Sequence, residues 1–401
     1  MTNIIRFYIL SIIILLFFGI NVLGSFGIHI ESDFAPPWQK ILPSAYLTFL
    51  IFICVLIKKG GFTNETEEEK WLLILFTLMC ISLYFRDVRG YIGVINCYFF
   101  PICFSYLTYC ILKKKPHITT RLERIIICFF IIECGLAILE RIIGYNFFEF
   151  SISNDNAISA NEINSSFRST SLQNHPLQNA LCVSIVMAYT LCSTYKLKYK
   201  LLLFSLGYIA ILCFNTRSSI VIWGLLFTIY MLKSFPSFNI GEKILSILFF
   251  ICGCYGVYYM IFTLGFGERL INYGLFDESS AGQRLLLLDI FKSYSIWDFT
   301  FGTDIKKLNN TLELLNIGII ENPWFAILFT HGLITLILII VLFGKLFKRL
   351  FLHYTKFNKT FIILTFLLIA SMNNSLVTPG AYLPLFILCA YIYSNKQILK
   401  S

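Results

Sequence analysis

Residues 1–24 read MTNIIRFYILSIIILLFFGINVLG, and Arg6 is the one charge in the run. Such a stretch is either a cleaved secretory signal or a helix that stays in a membrane. Its apolar core exceeds the 7–15 residues of a signal, and no small-residue cleavage site follows it. The expectation is a retained first helix. The same texture runs through the rest of the chain. Of its 401 residues 57% are hydrophobic and 13% charged, the mean hydropathy is +0.76, and phenylalanine alone contributes 41. A soluble domain needs far more polar surface than that. The apolar runs are continuous, whereas barrel strands alternate. The expected fold class is therefore an all-α polytopic integral membrane protein, with one transmembrane domain over residues 1–401.

A spanning helix needs about 20 apolar residues. Twelve stretches qualify as candidates: 4–24, 41–57, 71–85, 91–112, 125–143, 176–195, 200–214, 217–235, 244–264, 322–344, 360–377 and 380–394. Most of the 32 basic residues fall in alternate connections, among them KKKPHITTRLER (113–124) and KLFKRLFLHYTKFNK (345–359). The excess of Lys and Arg in cytoplasmic loops assigns these segments, and both termini, to the cytoplasm. Two long segments then face outward, 144–175 and 265–321, the second between helices 9 and 10. Within it, GQRLLLLDIFKSYSIWDF (282–299) has apolar residues at helical spacing, as expected of a helix lying on or dipping into the outer membrane surface.

Other function classes find little footing. The net charge of +10 comes without a long basic run, which argues against nucleic acid as a partner. All 13 cysteines lie in apolar stretches, so the expectation is small buried hydrophobes rather than disulfides or metal ligands. No phosphate-binding glycine loop, zinc-protease motif or serine elbow is present, and neither a metal nor a cofactor is expected.

The outward-facing arginines run against the charge bias. Arg217 sits in CFNTRSSIVIW (213–223), Arg168 in SSFRSTSLQNHPLQNA (165–180) and Arg284 in AGQRLLLLD (281–289). A guanidinium is a planar, permanently charged fork suited to phosphate oxygens. Three of them gathered by the bundle would hold a pyrophosphate; alternatively they snorkel to lipid headgroups or pair with Glu162, Asp277 or Glu278. Glu321 and Asn322, in IENPWFAILFTHGLIT (320–335), stand at the mouth of the tenth span. Glu321 is a candidate general base, or an acid that favours the helix N-terminus. His175, ahead of Pro176, is a hydrogen-bond donor to a phosphate or a residue near the helix cap. His331 and Glu133 are ionisable groups at membrane depth, where function and simple pairing between helices compete, and Glu140 and Arg141 are adjacent enough to pair locally.

On these residues the chain resembles the bacterial O-antigen polymerase and ligase superfamily, the Wzy and WaaL proteins. NTRSSIV (215–221) is similar to that family's Ser/Thr-Arg-Ser segment opening a helix. FRSTSLQNHPLQNA is similar to its preceding loop, and Arg284 to its second essential arginine. The ligase branch carries a histidine and then Asn, Ser or Gln, nine residues, Gly, two residues, and Gly, Thr or Tyr. Glu321-Asn322, Gly332 and Thr335 keep that spacing, with Glu321 in place of the histidine, which favours the polymerase branch.

The resemblance implies about twelve helices in a GT-C-like arrangement in the bacterial inner membrane. It also implies inverting, metal-independent glycosyl transfer from undecaprenyl pyrophosphate to a lipid-linked repeat unit. Arg217 and Arg284 would then stabilise the departing pyrophosphate, Glu321 would activate the acceptor, and Arg168, His175 and Asn322 would bind substrate. The implied partners are undecaprenyl-pyrophosphate-linked oligosaccharides, the lipid bilayer and a chain-length regulator. Competing readings are an O-antigen ligase, a lipid-linked oligosaccharide flippase and a membrane scaffold. Paired halves, the mark of a flippase, are not visible in the sequence.

Overall fold

The computed structural model describes residues 2–28, 30, 36–85, 91–148, 167–173, 175–267, 269–272, 281–315, 317, 320–372 and 375–398. Among these, every regular element is helical. The chain opens with α1 (Thr2–Phe17), α2 (Ile20–Ser25), α3 (Pro43–Lys59) and α4 (Glu67–Phe85). Then α5 (Tyr91–Val94) continues through one π turn (Ile95–Phe99) into α6 (Phe100–Lys114). Next come α7 (Ile118–Ile143), α8 (Pro176–Cys192), α9 (Leu197–Cys213), α10 (Arg217–Ser234) and α11 (Ile240–Phe262). Four short helices follow: α12 (Arg269–Asn272), α13 (Ala281–Ser293), α14 (Ile296–Phe301) and α15 (Ile305–Leu314). The chain ends with α16 (Pro323–Leu350), α17 (Lys356–Ser371) and α18 (Tyr382–Ile398).

Each of the twelve apolar stretches forms a helix, with shifted ends. Several helices run past the apolar stretch into charged flanks. α4 starts with Glu67, Glu68 and Glu69 in its first turn, where acids favour the helix dipole, and α16 ends with Lys348 and Arg349, where cations do. The first stretch is broken instead: α1 stops at Phe17 and α2 restarts at Ile20. Gly19 lies in the break because a Cβ there would fall on the Leu172 carbonyl.

Among the described residues, four helical segments are long and apolar enough to cross a membrane: Tyr91–Lys114, Arg217–Ser237, Ile240–Phe262 and Pro323–Leu350. Only 11% of the apolar window of Ile240–Phe262 and 22% of that of Pro323–Leu350 is buried in the protein, at mean hydropathies of 2.0 and 2.7. Side chains such as Ile240, Leu248, Ile251 and Tyr255 therefore point away from the core. Helices this apolar and this exposed are unstable in water and stable in lipid. The fold is compatible with a helical membrane protein.

Nearly every residue of α8 is buried, and this helix forms the bundle's centre. Around it, hydrogen bonds set relative directions. Trp223 Nε1 donates to Ser184 Oγ (2.8 Å) and Tyr230 OH to the Leu191 carbonyl (2.7 Å), so α10 runs parallel to α8 with Arg217 level with Gln178. α17 runs the opposite way, since Asn358 at its start reaches the Cys192 carbonyl (3.4 Å) at the end of α8. Trp324 at the start of α16 donates to Ser371 Oγ (2.7 Å) at the end of α17, so the N-termini of α8, α10 and α16 and the C-terminus of α17 share one end of the bundle.

At the other end the basic connections gather. Arg349 there donates to Glu68 (2.8 Å), Glu69 and Tyr391 OH (3.1 Å), joining α16, α4 and α18. Lys396 pairs with Glu123, which also accepts from Tyr195.

Residues 281–315 form a cap on the end of α16. Leu287, Ile290, Tyr294 and Leu308 make a small core of their own with Phe329. The helix expected over 282–299 is interrupted at Tyr294–Ser295, where Ser295 caps α14. The cap meets α16 at two glycines. Gly332 has φ 84° and ψ 167°, so the helix is broken there, and Gly302 has φ 86°. A Cβ on either would strike the other strand's backbone, and Thr303 N–H donates to the Phe329 carbonyl (2.8 Å). Only glycine fits both the left-handed φ and the close approach.

Candidate functional site

The bundle end that carries Arg217 is built around a short irregular segment, residues 167–173. Its backbone is buried among α7, α8 and α9, where unpaired amides are costly. Two carboxylates on one face of α7, two turns apart, meet that need. Glu140 Oε2 accepts from the N–H of Thr170 (2.9 Å) and Ser171 (3.0 Å), and its Oε1 from that of Phe147 (3.1 Å). Glu133 Oε2 accepts from Leu172 N–H (3.3 Å). Ser171 itself sits at φ 45°, a turn held by these bonds. Side chains complete the seat. Ser169 Oγ donates to the Ala137 carbonyl (2.7 Å), Asn179 to the Thr170 carbonyl, and Gln173 to the Leu16 carbonyl (3.0 Å). Arg141 donates to the carbonyls of Phe167 (2.9 Å) and Gly265 and lies over the Phe266 ring. It thereby ties the segment to the chain leaving α11.

This seat brings Arg168 to Arg217. Ser169 N–H donates to the Cys213 carbonyl (3.2 Å), and Arg168 Nε to the Phe214 carbonyl (3.3 Å). Both acceptors belong to the turn that links α9 to α10. Asn215 takes φ 55° in that turn, and Arg217 follows as the first residue of α10. Arg168 and Arg217 thus border the same tight turn.

The helix end between them is suited to anions. The first N–H groups of a helix point outward with a partial positive charge. His175 caps α8, its Nδ1 accepting from Leu177 N–H (3.2 Å), which leaves the proton of the neutral ring on Nε2. Asn322 caps α16, its Oδ1 accepting from Trp324 N–H (3.0 Å) and Phe325 N–H (3.3 Å). α10, by contrast, receives no side-chain cap from Thr216. Buried polar atoms at this end without a protein partner among the described residues include Thr170 Oγ1, Gln178 Oε1, Asn179 Oδ1 and Thr216 Oγ1. The site is equipped to hydrogen-bond a polar ligand.

The remaining candidates are distributed around it. Asn322 binds at the same bundle end through Ser371, whose carbonyl accepts from its Nδ2 (3.5 Å) and whose Oγ accepts from Trp324 Nε1 (2.7 Å). Its amide is therefore committed to capping α16 and holding α17. Glu321 precedes that cap and is half-buried. Arg284 lies on α13, in the cap over this end, and its side chain falls outside the described residues, as do Glu162, Asp277 and Glu278. Within the cap, Asp298 accepts from Lys307 (2.7 Å) and Ser295 Oγ (2.7 Å), and these bonds hold its carboxyl well below the usual carboxylate range.

Sequence reasoning did not foresee Glu140, Glu133 and Arg141 as the frame of the segment. The available signal was the spacing of Glu133 and Glu140, seven apart on one helical face of an apolar stretch. It also missed Gly302 as the partner of Gly332.

Comparisons with protein-family models, with curated proteins and with solved structures each find no match to this chain.

Proposed function

We propose that this chain is a surface-polysaccharide polymerase. It transfers a growing glycan from undecaprenyl pyrophosphate to a lipid-linked repeat unit by inverting, metal-independent glycosyl transfer. In this reading twelve helices span the bacterial inner membrane in a GT-C-like arrangement. The basic bundle end and both termini are cytoplasmic, and the Arg217 end faces outward.

One observation carries the reading: Arg168 and Arg217 flank the turn that opens α10, whose N-terminus has no side-chain cap. Two planar cations and outward-pointing amides are what a departing pyrophosphate requires. The cap helix α13 brings Arg284 to the same end. Glu321, beside the α16 N-terminus, is the base that takes the acceptor hydroxyl's proton, while His175 and Asn322 shape the wall. Charge stabilisation of this kind is worth about 10²–10³ in rate per donor removed.

Deletion of the gene, complemented with Arg217→Ala or Arg284→Ala, tests it. Both variants should leave single repeat units at the cell surface, and the wild-type gene should restore the ladder. Unchanged ladders would refute the reading and leave a scaffold.

The broken helix at Gly332 supports a ligase as second reading, since Asn322, Gly332 and Thr335 keep the ligase-branch spacing. Its loss would leave long glycans on the carrier lipid instead of single units.

A further inference from the structure

A groove lies on the far side of α16 from the cap. α16 and α17 join through a short turn at the basic end yet touch sparsely along their length, and a cavity of about 410 Å³ opens between them, closed off by Tyr98, Leu376 and Leu383. Its walls are stripes at helical spacing: Ile340, Phe343, Gly344 and Phe347 on α16, Ile363 and Leu367 on α17. At the basic end the lining changes to Lys348 and Lys359. Apart from these the lining is almost wholly hydrocarbon and aromatic. From Ile327 to Lys348 the groove follows α16 for on the order of 30 Å, about the thickness of a bilayer's hydrocarbon core.

The two lysines differ from their neighbour. Arg349 is neutralised by Glu68 and Glu69. Lys348 and Lys359 have no ionic or side-chain hydrogen-bond partner among the described residues. An apolar slot ending in two such cations is complementary to one chemistry: an acyl chain joined to a negative headgroup.

We propose that the α16–α17 groove is a binding site for an anionic diacyl phospholipid, with its phosphate between Lys348 and Lys359 and one acyl chain along Gly344. The polyprenyl carrier does not fit here, because its diphosphate belongs at the opposite bundle end. The exclusion of the polyprenyl carrier rests on the polymerase reading; the groove and its two lysines do not. A lipid seated there fills the gap between two sparsely packed helices, one of which carries the broken segment at Gly332.

Native mass spectrometry of the purified full chain in detergent, with phosphatidylglycerol or phosphatidylcholine added, tests the proposal. The wild type should retain one phosphatidylglycerol, with phosphatidylcholine at least tenfold weaker. The pair Lys348→Gln and Lys359→Gln should weaken retention about 25-fold, from roughly fivefold per lysine at a charged surface. Gly344→Phe should abolish it, because a side chain at Gly344 enters open space and fills the slot. The control pair Lys345→Gln and Lys356→Gln removes the same charge at the same end outside the groove and should stay within twofold. Equal loss in the control pair, equal binding of phosphatidylcholine, or retention by Gly344→Phe would overturn the proposal. So would a dimer that Gly344→Phe converts to monomer, which would make the groove an interface between copies. If Gly344→Phe is not monodisperse, the two lysine pairs decide alone.

Discussion

The two ends of the bundle use charged residues in opposite ways. At the basic end, carboxylate meets cation: Arg349 holds Glu68 and Glu69 and also donates to the Glu65 carbonyl, and Lys396 holds Glu123. At the other end, side chain meets backbone. Glu140 and Glu133 accept four N–H groups from residues 147 and 170–172, and Arg141 and Arg168 donate to carbonyls. The first pattern fastens regular helices to one another. The second stabilises backbone that is not helical, which at membrane depth is tolerated only inside protein or around a cavity. Irregular backbone is what allows two arginines to meet at one turn.

The contrast is breakable. Arg349→Met strands Glu69, which is fully buried, and should destabilise by about 3–5 kcal/mol in a detergent unfolding assay. Adding Glu69→Gln should recover most of that loss, since the partner charge is then gone as well. Glu140→Ala orphans three backbone N–H groups, at about 1–3 kcal/mol each, and has no such rescue, because an amide cannot be mutated away. Recovery of Glu140→Ala by a second side-chain change, or none for Arg349→Met, would erase the distinction between the ends.

A smaller effect is expected where the cap meets the bundle. Gly332→Ala forces a Cβ against the Thr300 carbonyl at a left-handed φ, which costs more than about 1 kcal/mol. The strain should loosen residues 281–320 to limited proteolysis while helix content stays constant. Protection equal to wild type would show that the glycine contact does not dock the cap.

Much of this architecture is legible in the sequence. Continuous apolar runs announce the helices, and the clustering of lysines announces which ends lie together. Helix ends are harder to read, because charged residues such as Glu67–Glu69 extend a helix for electrostatic reasons that hydropathy does not register. The arginines stand out as exceptions to a charge bias, which is why Arg168, Arg217 and Arg284 could be singled out together. What holds them could not be read. A glutamate that accepts amides thirty residues away looks in sequence like any intramembrane acid. The pairing of Gly302 with Gly332 depends on a cap whose fold arises from long-range packing of Leu287, Ile290 and Phe329. Asn322 shows the converse: its place at a helix mouth was visible, whereas its commitment to capping appears only once Trp324 and Ser371 are in position.

The central claim is that Arg168 and Arg217 together hold a lipid diphosphate. Binding of undecaprenyl pyrophosphate and undecaprenyl monophosphate to the purified protein measures it directly, with Arg168→Ala and Arg217→Ala compared with the wild type. The account predicts that the wild type prefers the diphosphate at least tenfold and that either substitution removes the preference. Equal binding of both lipids by the wild type, or a preference untouched by both substitutions, would contradict it.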